Sequence, residues 1–339
     1  MELFYSSQRK LNGHVINLQI LSCIILLFSL LAVTSARAAS ITYTDKLERT
    51  VTIPVPVRRA VFLQMYELLP ILDSWDRVVG IADYAYRDDL LQAVKPDIRS
   101  ISPVGSGGNA NIEAILKLQP DLVITWAWQP ETIRFMEKKG IRVIAIYPEN
   151  VEDLYKVMRL LGTIFQREQK VEMAITGMEE LFSLIRAKET KRDQGMKRKM
   201  VYLGGRSNSV SGSIGINNDL LELIGGVNVA GSINDRSTMV SLEQIVVWNP
   251  EVIFIWGNAG YSARDIIDNP QWRHIKAVRE KRVYKLPEWT TWSPRLALVA
   301  LWMAKKAYPE DFADTDFEKV AGDFYRKLFH IPCNLRETP

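Results

Sequence analysis

Large aromatic side chains recur in this chain directly after short apolar runs. Trp126 and Trp128 follow a run that ends at Thr125, and Trp256 follows one that ends at Ile255. Aromatic rings offer flat apolar faces to a macrocycle or aromatic chelate, and tyrosine hydroxyls can donate hydrogen bonds or ligate haem iron. Any single tryptophan could instead be a core residue. As a group, and together with the neighbouring Met65, the aromatic residues predict a ligand-binding surface. Its aromatic members are Tyr66, Tyr84, Tyr86, Trp126, Trp128, Trp256, Trp289 and Trp292.

Three arginines lie near the same predicted strand ends. Arg206 follows two glycines, Arg236 comes later in the same half of the chain, and Arg295 ends a Ser-Pro-Arg tripeptide. A planar guanidinium suits anionic groups, because it can form paired hydrogen bonds with them. These arginines are therefore candidates for contact with an anionic ligand. The alternatives are ordinary surface charge and, for Arg295, a role at the start of a helix.

Glu113 and Glu243 occupy matching places, each two residues after a good helix N-cap, Asn111 or Ser241. The helix dipole favours a carboxylate in the first turn by about 0.3–1 kcal/mol. Neither glutamate stands three residues after its cap, so a capping box does not explain them. Two such carboxylates could also pair with basic pockets on a partner protein. The residues alone leave both explanations open.

The elements that carry these residues form an internal repeat. Residues 111–125 match residues 241–255 at a constant offset of 130 positions, with Ile115/Ile245 and Pro120/Pro250 identical. Each copy reads as an N-cap, apolar residues at helical spacing, a proline that ends the helix, and a short apolar strand. Continuous apolar strands are typical of parallel sheets that are buried on both faces.

Strand and helix patterns alternate on both sides of each copy, which predicts right-handed βαβ units and a doubly wound α/β sheet in each half. Between the halves, good helix formers dominate from Arg167 to about Arg192, which predicts a long helix. We therefore predict an N-terminal α/β lobe at residues 39–166, a linker helix at 167–197 and a C-terminal α/β lobe at 198–339.

The N-terminus has the pattern of an export signal. Arg9 and Lys10 precede an apolar run over residues 18–33, and a small-x-small cleavage motif ends at Ala38. We expect residues 1–38 to be a signal peptide and the mature chain to be periplasmic. Cys23 leaves a lipoprotein as the alternative. Cleavage would leave Cys333 as the one cysteine, too few for a disulfide or a thiolate metal site.

Composition argues against several classes of protein. The 43 Lys and Arg residues barely exceed the 39 Asp and Glu residues, so no nucleic-acid partner is expected. His274 and His330 are the two histidines after residue 38, too few for the several histidine ligands that a receptor of free zinc or manganese ions would need.

Two short segments resemble enzyme motifs but depart from them. Residues 105–110 fit a dinucleotide-binding glycine pattern, but Pro103 interrupts the strand that should precede it. Residues 205–209 fail the nucleophile-elbow pattern of serine hydrolases at the last position.

Taken in order over residues 41–330, three features resemble one family: the two repeat copies, the helical connector and the late Ser-Pro-Arg. The chain resembles the periplasmic binding proteins that take up iron–siderophores, haem and vitamin B12. The resemblance implies two Rossmann-like lobes joined by a single long α-helix, with the ligand in a cleft between them. It also implies that Glu113 and Glu243 dock the protein onto the importer, and the vitamin B12 binders carry a tryptophan at the position of Trp126.

We therefore expect a monomeric, non-enzymatic receptor, without a cofactor or bound structural metal, that serves the transmembrane subunits of an ABC importer. A ferric siderophore is the first expected ligand, and haem and cobalamin come next. The alternatives are a metal oxyanion, a free metal ion, or an exported oxidoreductase with a nucleotide cofactor.

Overall fold

The computed structural model describes residues 39–192 and 197–333. Its strands are β1 Ala39–Thr44, β2 Thr50–Val55, β3 Ala60–Phe62, β4 Val78–Ile81, β5 Ser102–Pro103, β6 Gly105–Ser106, β7 Asn109–Ala110, β8 Leu122–Trp126, β9 Val143–Ile146, β10 Lys199–Leu203, β11 Ser209–Val210, β12 Val227–Asn228, β13 Thr238–Met239, β14 Val252–Ile255 and β15 Val283–Lys285. Its α-helices are α1 Leu69–Leu72, α2 Asp89–Val94, α3 Ile112–Leu118, α4 Pro130–Lys138, α5 Val151–Phe165, α6 Glu168–Glu189, α7 Ile216–Leu223, α8 Leu242–Trp248, α9 Ala263–Ile267, α10 Lys276–Arg279, α11 Leu296–Ala307 and α12 Phe317–Phe329.

The first half of the chain forms a parallel sheet in the order β5-β4-β3-β8-β9. The central strands β3 and β8 are buried at every residue, as expected for strands with helices on both faces. Because the strands are parallel, their carboxyl ends lie along one edge of the sheet. In open α/β sheets this edge is where ligands bind.

The second half repeats this arrangement. Strands β10, β14 and β15 are parallel neighbours in a sheet of order β13-β11-β10-β14-β15. They correspond to β3, β8 and β9 of the first sheet. Strand β12 runs parallel to β10, whereas β11 and β13 add an antiparallel ribbon. The predicted class, two α/β lobes with parallel sheets, is confirmed.

The sequence repeat is confirmed as a structural repeat. The Asn111 side chain accepts a hydrogen bond from the backbone N–H of Ala114 at 3.0 Å, and the Ser241 hydroxyl accepts one from Gln244 at 3.2 Å. Helices α3 and α8 then end at residues with a left-handed backbone, Gln119 and Asn249. Each helix therefore starts on a polar cap and turns sharply into a buried strand.

A long helix joins the two sheets, as expected. Helix α6 covers Glu168–Glu189, about 33 Å at 1.5 Å per residue. It packs against α5, α11 and α12 through a stripe of buried residues that includes Ala174, Met178 and Phe182. Helix α6 therefore packs against elements from both halves of the chain. The exact lobe boundaries at residues 166 and 197 stay predictions.

The hairpin of β1 and β2 was not predicted, and it docks on the first sheet. Asp45 is buried and accepts a hydrogen bond from the Ala145 backbone N–H at 3.0 Å, while the Arg49 side chain donates to the Val143 carbonyl at 3.0 Å. The predicted signal peptide, residues 1–38, lies outside the described residues. No helix within residues 39–192 and 197–333 is long and apolar enough to cross a membrane.

Candidate functional site

Four aromatic rings meet at the carboxyl ends of β8 and β9. Trp126 lies at the centre, with ring centroids 4.5 Å from Trp292, 5.1 Å from Trp128 and 5.4 Å from Tyr147. Tyr147 is also 5.5 Å from Trp128 and 5.8 Å from Trp292. Spacings of this size are typical of interacting aromatic pairs. We call these four residues the aromatic wall.

Sequence reasoning found three members of the wall and missed Tyr147. This tyrosine comes directly after β9, so the rule that selected Trp126 after its strand would have found it. Trp292 is the member that comes from the second half of the chain. It reaches the other rings because its indole N–H donates to the Pro148 carbonyl at 2.9 Å.

A glycine lets the hairpin of β6 and β7 approach the wall. A Cβ atom at Gly107 would lie 2.6 Å from the Trp126 ring and 2.5 Å from the Gln64 amide. Any larger residue would push the hairpin off the ring. The dinucleotide-like glycine pattern therefore forms a hairpin against Trp126 instead of the helix start that such a cofactor requires.

Three aromatic residues present large open faces to solvent. Tyr84 is 61% exposed, Trp128 is 53% exposed and Trp256 is 41% exposed. Each follows a strand of one of the two sheets, where ligands bind in this type of fold. Within the described residues Trp256 has no ring neighbour, and a Cβ at Gly205 would lie 3.9 Å from its ring. These faces are therefore free to contact a ligand at the edge where ligands bind in such sheets.

Positive charge borders the wall on the side of the second sheet. The Arg236 guanidinium lies 5.0 Å above the Tyr147 ring and is ion-paired with Glu149. Lys46 reaches the same carboxylate at 3.4 Å. Burial raises the pKa of Tyr147, with Arg236 acting against that rise, so the hydroxyl stays protonated. Arg206 is exposed and has no ion pair among the residues that the structure describes.

Arg295 is placed differently from what was expected of a ligand contact. Its side chain is completely buried, and its nitrogens pair with Glu67, Asp88 and Asp89 at 2.6–2.9 Å. Burial opposes its charge, but the neighbouring carboxylates outweigh that effect and raise the pKa of Arg295. With its donors engaged by protein, this guanidinium is not available to a ligand in this structure.

Trp289 belongs to the same buried cluster as Arg295. Its ring lies 5.4 Å from the guanidinium and 6.5 Å from the Tyr325 ring, and the residue is 8% exposed. Trp289 was expected to contact the ligand, but in this structure its ring is buried in the protein. Both residues come from the segment that follows β15, and the sequence could not show that this segment turns inward.

The candidate ligand contacts after β3 and β4, which are Met65 and three tyrosines, divide into inner and outer ones. Met65 is buried at a left-handed backbone position, and the Tyr86 hydroxyl donates to the Ile101 carbonyl at 2.7 Å. Tyr66 is half-buried, and burial together with Glu67 raises its pKa. Tyr84 is the open member of this group. Met65 and Tyr86 thus support the fold of this edge, while Tyr66 and Tyr84 stay candidates for ligand contact.

Glu113 and Glu243 are both exposed in the first turns of α3 and α8. Hydrogen bonds from its own backbone N–H and from the Ser241 hydroxyl lower the pKa of Glu243. Neither carboxylate forms an ion pair with another described residue. Each therefore presents free negative charge at the equivalent place of its lobe.

No group of three or more His, Cys, Asp or Glu side chains in the described part of the chain could hold a metal ion. A cavity of about 280 Å³ lies apart from the wall, lined by Asp89, Leu90, Gln92, Ala93, Tyr325, Ile331 and Pro332.

Proteins with a named ligand align with most of the length of this chain. It is 28% identical to the molybdate-binding protein MolA of Haemophilus influenzae, over 84% of this chain and 90% of that one. It is 26% identical to the Fe(3+)-citrate-binding protein YfmC of Bacillus subtilis, over 70% and 75% of the two chains. The solved structure of Helicobacter pylori CeuE in a nickel–histidine complex superposes with a TM-score of 0.79. It is 30% identical, and the match covers 86% of this chain and 96% of that one.

The family model described as periplasmic binding protein matches residues 60–290, which include both sheets and the helix between them. This match spans more than half of the chain, and it agrees with the parallel sheets, the long connecting helix and the two equivalent exposed glutamates. The chain therefore belongs to the periplasmic binding proteins, in the class III group that serves ABC importers.

Proposed function

We propose that this protein captures a metal complex with an organic ligand shell and delivers it to an ABC importer. A ferric siderophore is the first ligand, with haem and cobalamin next. The observation that carries the proposal is the open faces of Tyr84, Trp128 and Trp256, beside the half-buried Tyr147 and Trp292 of the aromatic wall. Trp126 is 4% exposed and supports these rings from the core side. Flat apolar faces of this kind would cover the organic shell of a chelate, and they do little for a small hydrated ion.

Cationic groups near these rings favour a ligand with negative charge. Arg236 lies over Tyr147, and Arg206 follows the carboxyl end of β10 on an exposed loop. Ferric siderophores and haem propionates carry anionic oxygens that a guanidinium can bind. Ferric citrate, the ligand named for the Bacillus subtilis relative, has the same character.

A metal oxyanion is the second candidate. Its support is the 28% identity to the molybdate-binding relative over 84% of this chain. Backbone N–H groups, serines and an arginine can bind an oxyanion without histidine or carboxylate ligands. The Gly204 N–H already donates to the Ser209 carbonyl at 2.7 Å, so the exposed backbone of Gly205 and Arg206 is where such contacts would form. This ligand would make little use of Trp128 and Trp256, so the two candidates differ in the tryptophans they engage.

Delivery would use Glu113 and Glu243. Both are exposed, unpaired among the described residues and placed at equivalent points of the two lobes. One salt bridge per lobe to arginines of the transmembrane subunits would fix the orientation of docking.

The ligand class is tested by titration of the purified mature protein. Ferric citrate, a ferric hydroxamate, haemin, cobalamin, nickel with histidine, and molybdate are added in turn while tryptophan fluorescence and visible absorption are recorded. We expect stoichiometric quenching by one chelate, no product, and loss of affinity in Trp128→Ala. Saturation by molybdate alone, with Trp128→Ala binding normally, would select the oxyanion instead.

We also propose that the mature protein is a periplasmic monomer that begins after Ala38. An intact-mass measurement of protein from the periplasmic fraction tests this directly. A mass that includes residues 1–38, or a lipid attached to Cys23, would contradict it. Chromatography with light scattering gives the oligomeric state of the same sample.

A further inference from the structure

A buried cluster of charges connects two distant parts of the chain. The Arg295 Nε donates to Glu67 at 2.8 Å, and its two terminal nitrogens reach Asp88 at 2.9 Å and Asp89 at 2.6 Å. Tyr325 adds a hydroxyl acceptor at 3.2 Å. Arg295 and Glu67 are buried and the Asp88 side chain is 7% exposed, so the cost of burying their charges is offset only while this geometry is kept. We call this group the arginine node.

The node fastens a segment of the second half onto the first half. The chain leaves the second sheet at Lys285, at the end of β15, and reaches Arg295 just before α11. The carboxylates that bind Arg295 come from the residues after β3 and β4, in the first sheet's lobe. Glu67 also accepts a hydrogen bond from the Thr290 backbone N–H at 3.1 Å. Both ends of residues 290–295 are therefore tied to the first lobe.

Trp292 lies in the middle of this tied segment. Its backbone N–H donates to the Thr290 hydroxyl at 3.2 Å, and its indole N–H donates to the Pro148 carbonyl at 2.9 Å. The Ser293 hydroxyl accepts from the Arg295 backbone N–H at 3.1 Å. The Trp292 ring therefore packs against Trp126. Its backbone is held through Thr290, which is bonded to Glu67 of the arginine node, and its indole is held by Pro148, which follows β9.

We propose that Arg295 is a positioning residue that fixes Trp292 on the first lobe, so that the aromatic wall is complete before any ligand arrives. The wall then belongs to one lobe, although one of its rings comes from the other half of the chain. A site held ready in this way binds more tightly, because the ligand does not have to order the ring. Only this consequence for the ligand rests on the proposed function.

The test follows the Trp126–Trp292 pair in ligand-free protein. Two indoles in close edge-to-face contact, here with an interplanar angle of 66°, give an exciton-coupled circular dichroism band. The difference between the parent and Trp292→Phe defines the share of this band that Trp292 contributes. We expect Arg295→Met to lose most of this share while the helical circular dichroism signal is kept. Arg295→Lys, which keeps the charge without the paired geometry, should lose part of it. Glu172→Gln, which breaks the exposed pair with Arg159, is the control and should keep all of it.

Removing Arg295 alone leaves buried carboxylates without a partner, so a second variant guards against unfolding. Arg295→Met combined with Glu67→Gln removes the bidentate pair from both sides, and the same loss of the band is expected. A full band in the folded double variant would overturn the proposal and leave Arg295 with a purely structural role.

The second part of the experiment measures ligand affinity, with whichever of ferric citrate, haemin, cobalamin or molybdate saturates the parent protein. We expect about tenfold weaker binding in the double variant, with the same signal at saturation. Unchanged affinity together with a lost band would refute the benefit for binding. If no ligand of the panel binds the parent, the proposed ligand class fails while the dichroism still decides the role of Arg295.

Discussion

Glu149 competes with any anionic ligand for the guanidinium of Arg236. The two side chains are ion-paired next to Tyr147, and each is partly exposed. Exposed ion pairs contribute at most about 1 kcal/mol, so a ligand anion can displace the carboxylate at small cost. We expect Glu149→Gln to tighten binding of an anionic chelate by up to about fivefold, and Arg236→Gln to weaken it. Fluorescence titration at two salt concentrations measures both effects, and equal affinities in the two variants would contradict the competition.

Asp88 makes stability depend on pH. Burial raises the pKa of this carboxyl, Glu67 raises it further, and Arg295 acts in the opposite direction; Asp89 and Tyr325 also face the cluster. A raised pKa means that the folded state holds a proton that the unfolded chain releases above about pH 4. This contribution is complete below that pH and is lost as pH rises through the folded pKa.

We therefore expect the parent to lose stability from this site as the pH rises from about 4 towards the raised folded pKa. Asp88→Asn keeps the side-chain acceptor for the Leu91 backbone N–H but cannot ionise. The variant should show a flatter dependence of the melting temperature on pH over that window. Parallel curves for the parent and the variant would refute the assignment.

Local patterns predict single residues well when their partners are near in sequence, and poorly when they are not. Trp126 and Trp128 follow a strand that the apolar run reveals, so their placement at the sheet edge could be foreseen. Arg295 pairs with Glu67, 228 positions earlier, and nothing in the sequence pairs them. The burial of Trp289 could not be predicted for the same reason, because it packs beside Arg295 and the distant residues that Arg295 contacts.

At the scale of elements, the repeat was predictable because short-range signals set it. The caps at Asn111 and Ser241 and the prolines after α3 and α8 all act within a few residues. A further twin feature was not foreseen: Asp121 accepts hydrogen bonds from the Arg58 and Arg59 backbone N–H groups, and Glu251 accepts one from Lys199. These carboxylates fix the starts of β3 and β10 across the sheet. These hydrogen bonds depend on which strands are neighbours in the sheet, and the sequence of one strand does not give its neighbours.

The linker helix contains a glycine that packing does not require. A Cβ at Gly177 would meet Leu328 of α12 at 3.4 Å, an ordinary van der Waals distance. Alanine is favoured over glycine inside a helix by about 1 kcal/mol, so we expect Gly177→Ala to raise the free energy of unfolding by up to that amount. Urea unfolding followed by circular dichroism measures the change.

Gly226 is the matched contrast for this prediction. A Cβ there would lie 2.6 Å from the Met200 sulfur and 2.9 Å from the Leu221 carbonyl oxygen, which is backbone and cannot move aside. Gly226→Ala should destabilise the protein by about 1–3 kcal/mol. The account of both sites fails if the two alanine variants change stability in the same direction.

At the scale of the whole molecule, two connections between the lobes lie far apart in the chain. Helix α6 couples the sheets along one side through α5, α11 and α12, and the arginine node ties residues 290–295 to the first lobe. Both connections restrict how the second sheet can move against the first. Any motion of the second sheet against the first would therefore leave the aromatic wall intact, move the parts that carry Trp256 and Arg206, and break the ion pair between Arg236 and Glu149.

Charge reversal at both repeat copies tests the function of the molecule as a carrier. Glu113 and Glu243 are exposed and lie outside the aromatic wall and the arginine node, so Glu113→Lys with Glu243→Lys should leave ligand affinity nearly unchanged. The melting temperature should fall slightly, because each lysine loses the favourable interaction of a first-turn carboxylate with the helix dipole. Uptake by cells that depend on this receptor should fall to background, because both docking salt bridges become repulsive. Each single reversal should reduce uptake in part. Glu131→Lys with Glu310→Lys makes the same change of net charge at two other exposed sites and should transport normally. Loss of ligand affinity in the first double variant would instead place these carboxylates in the binding site, and normal uptake would end their assignment to docking.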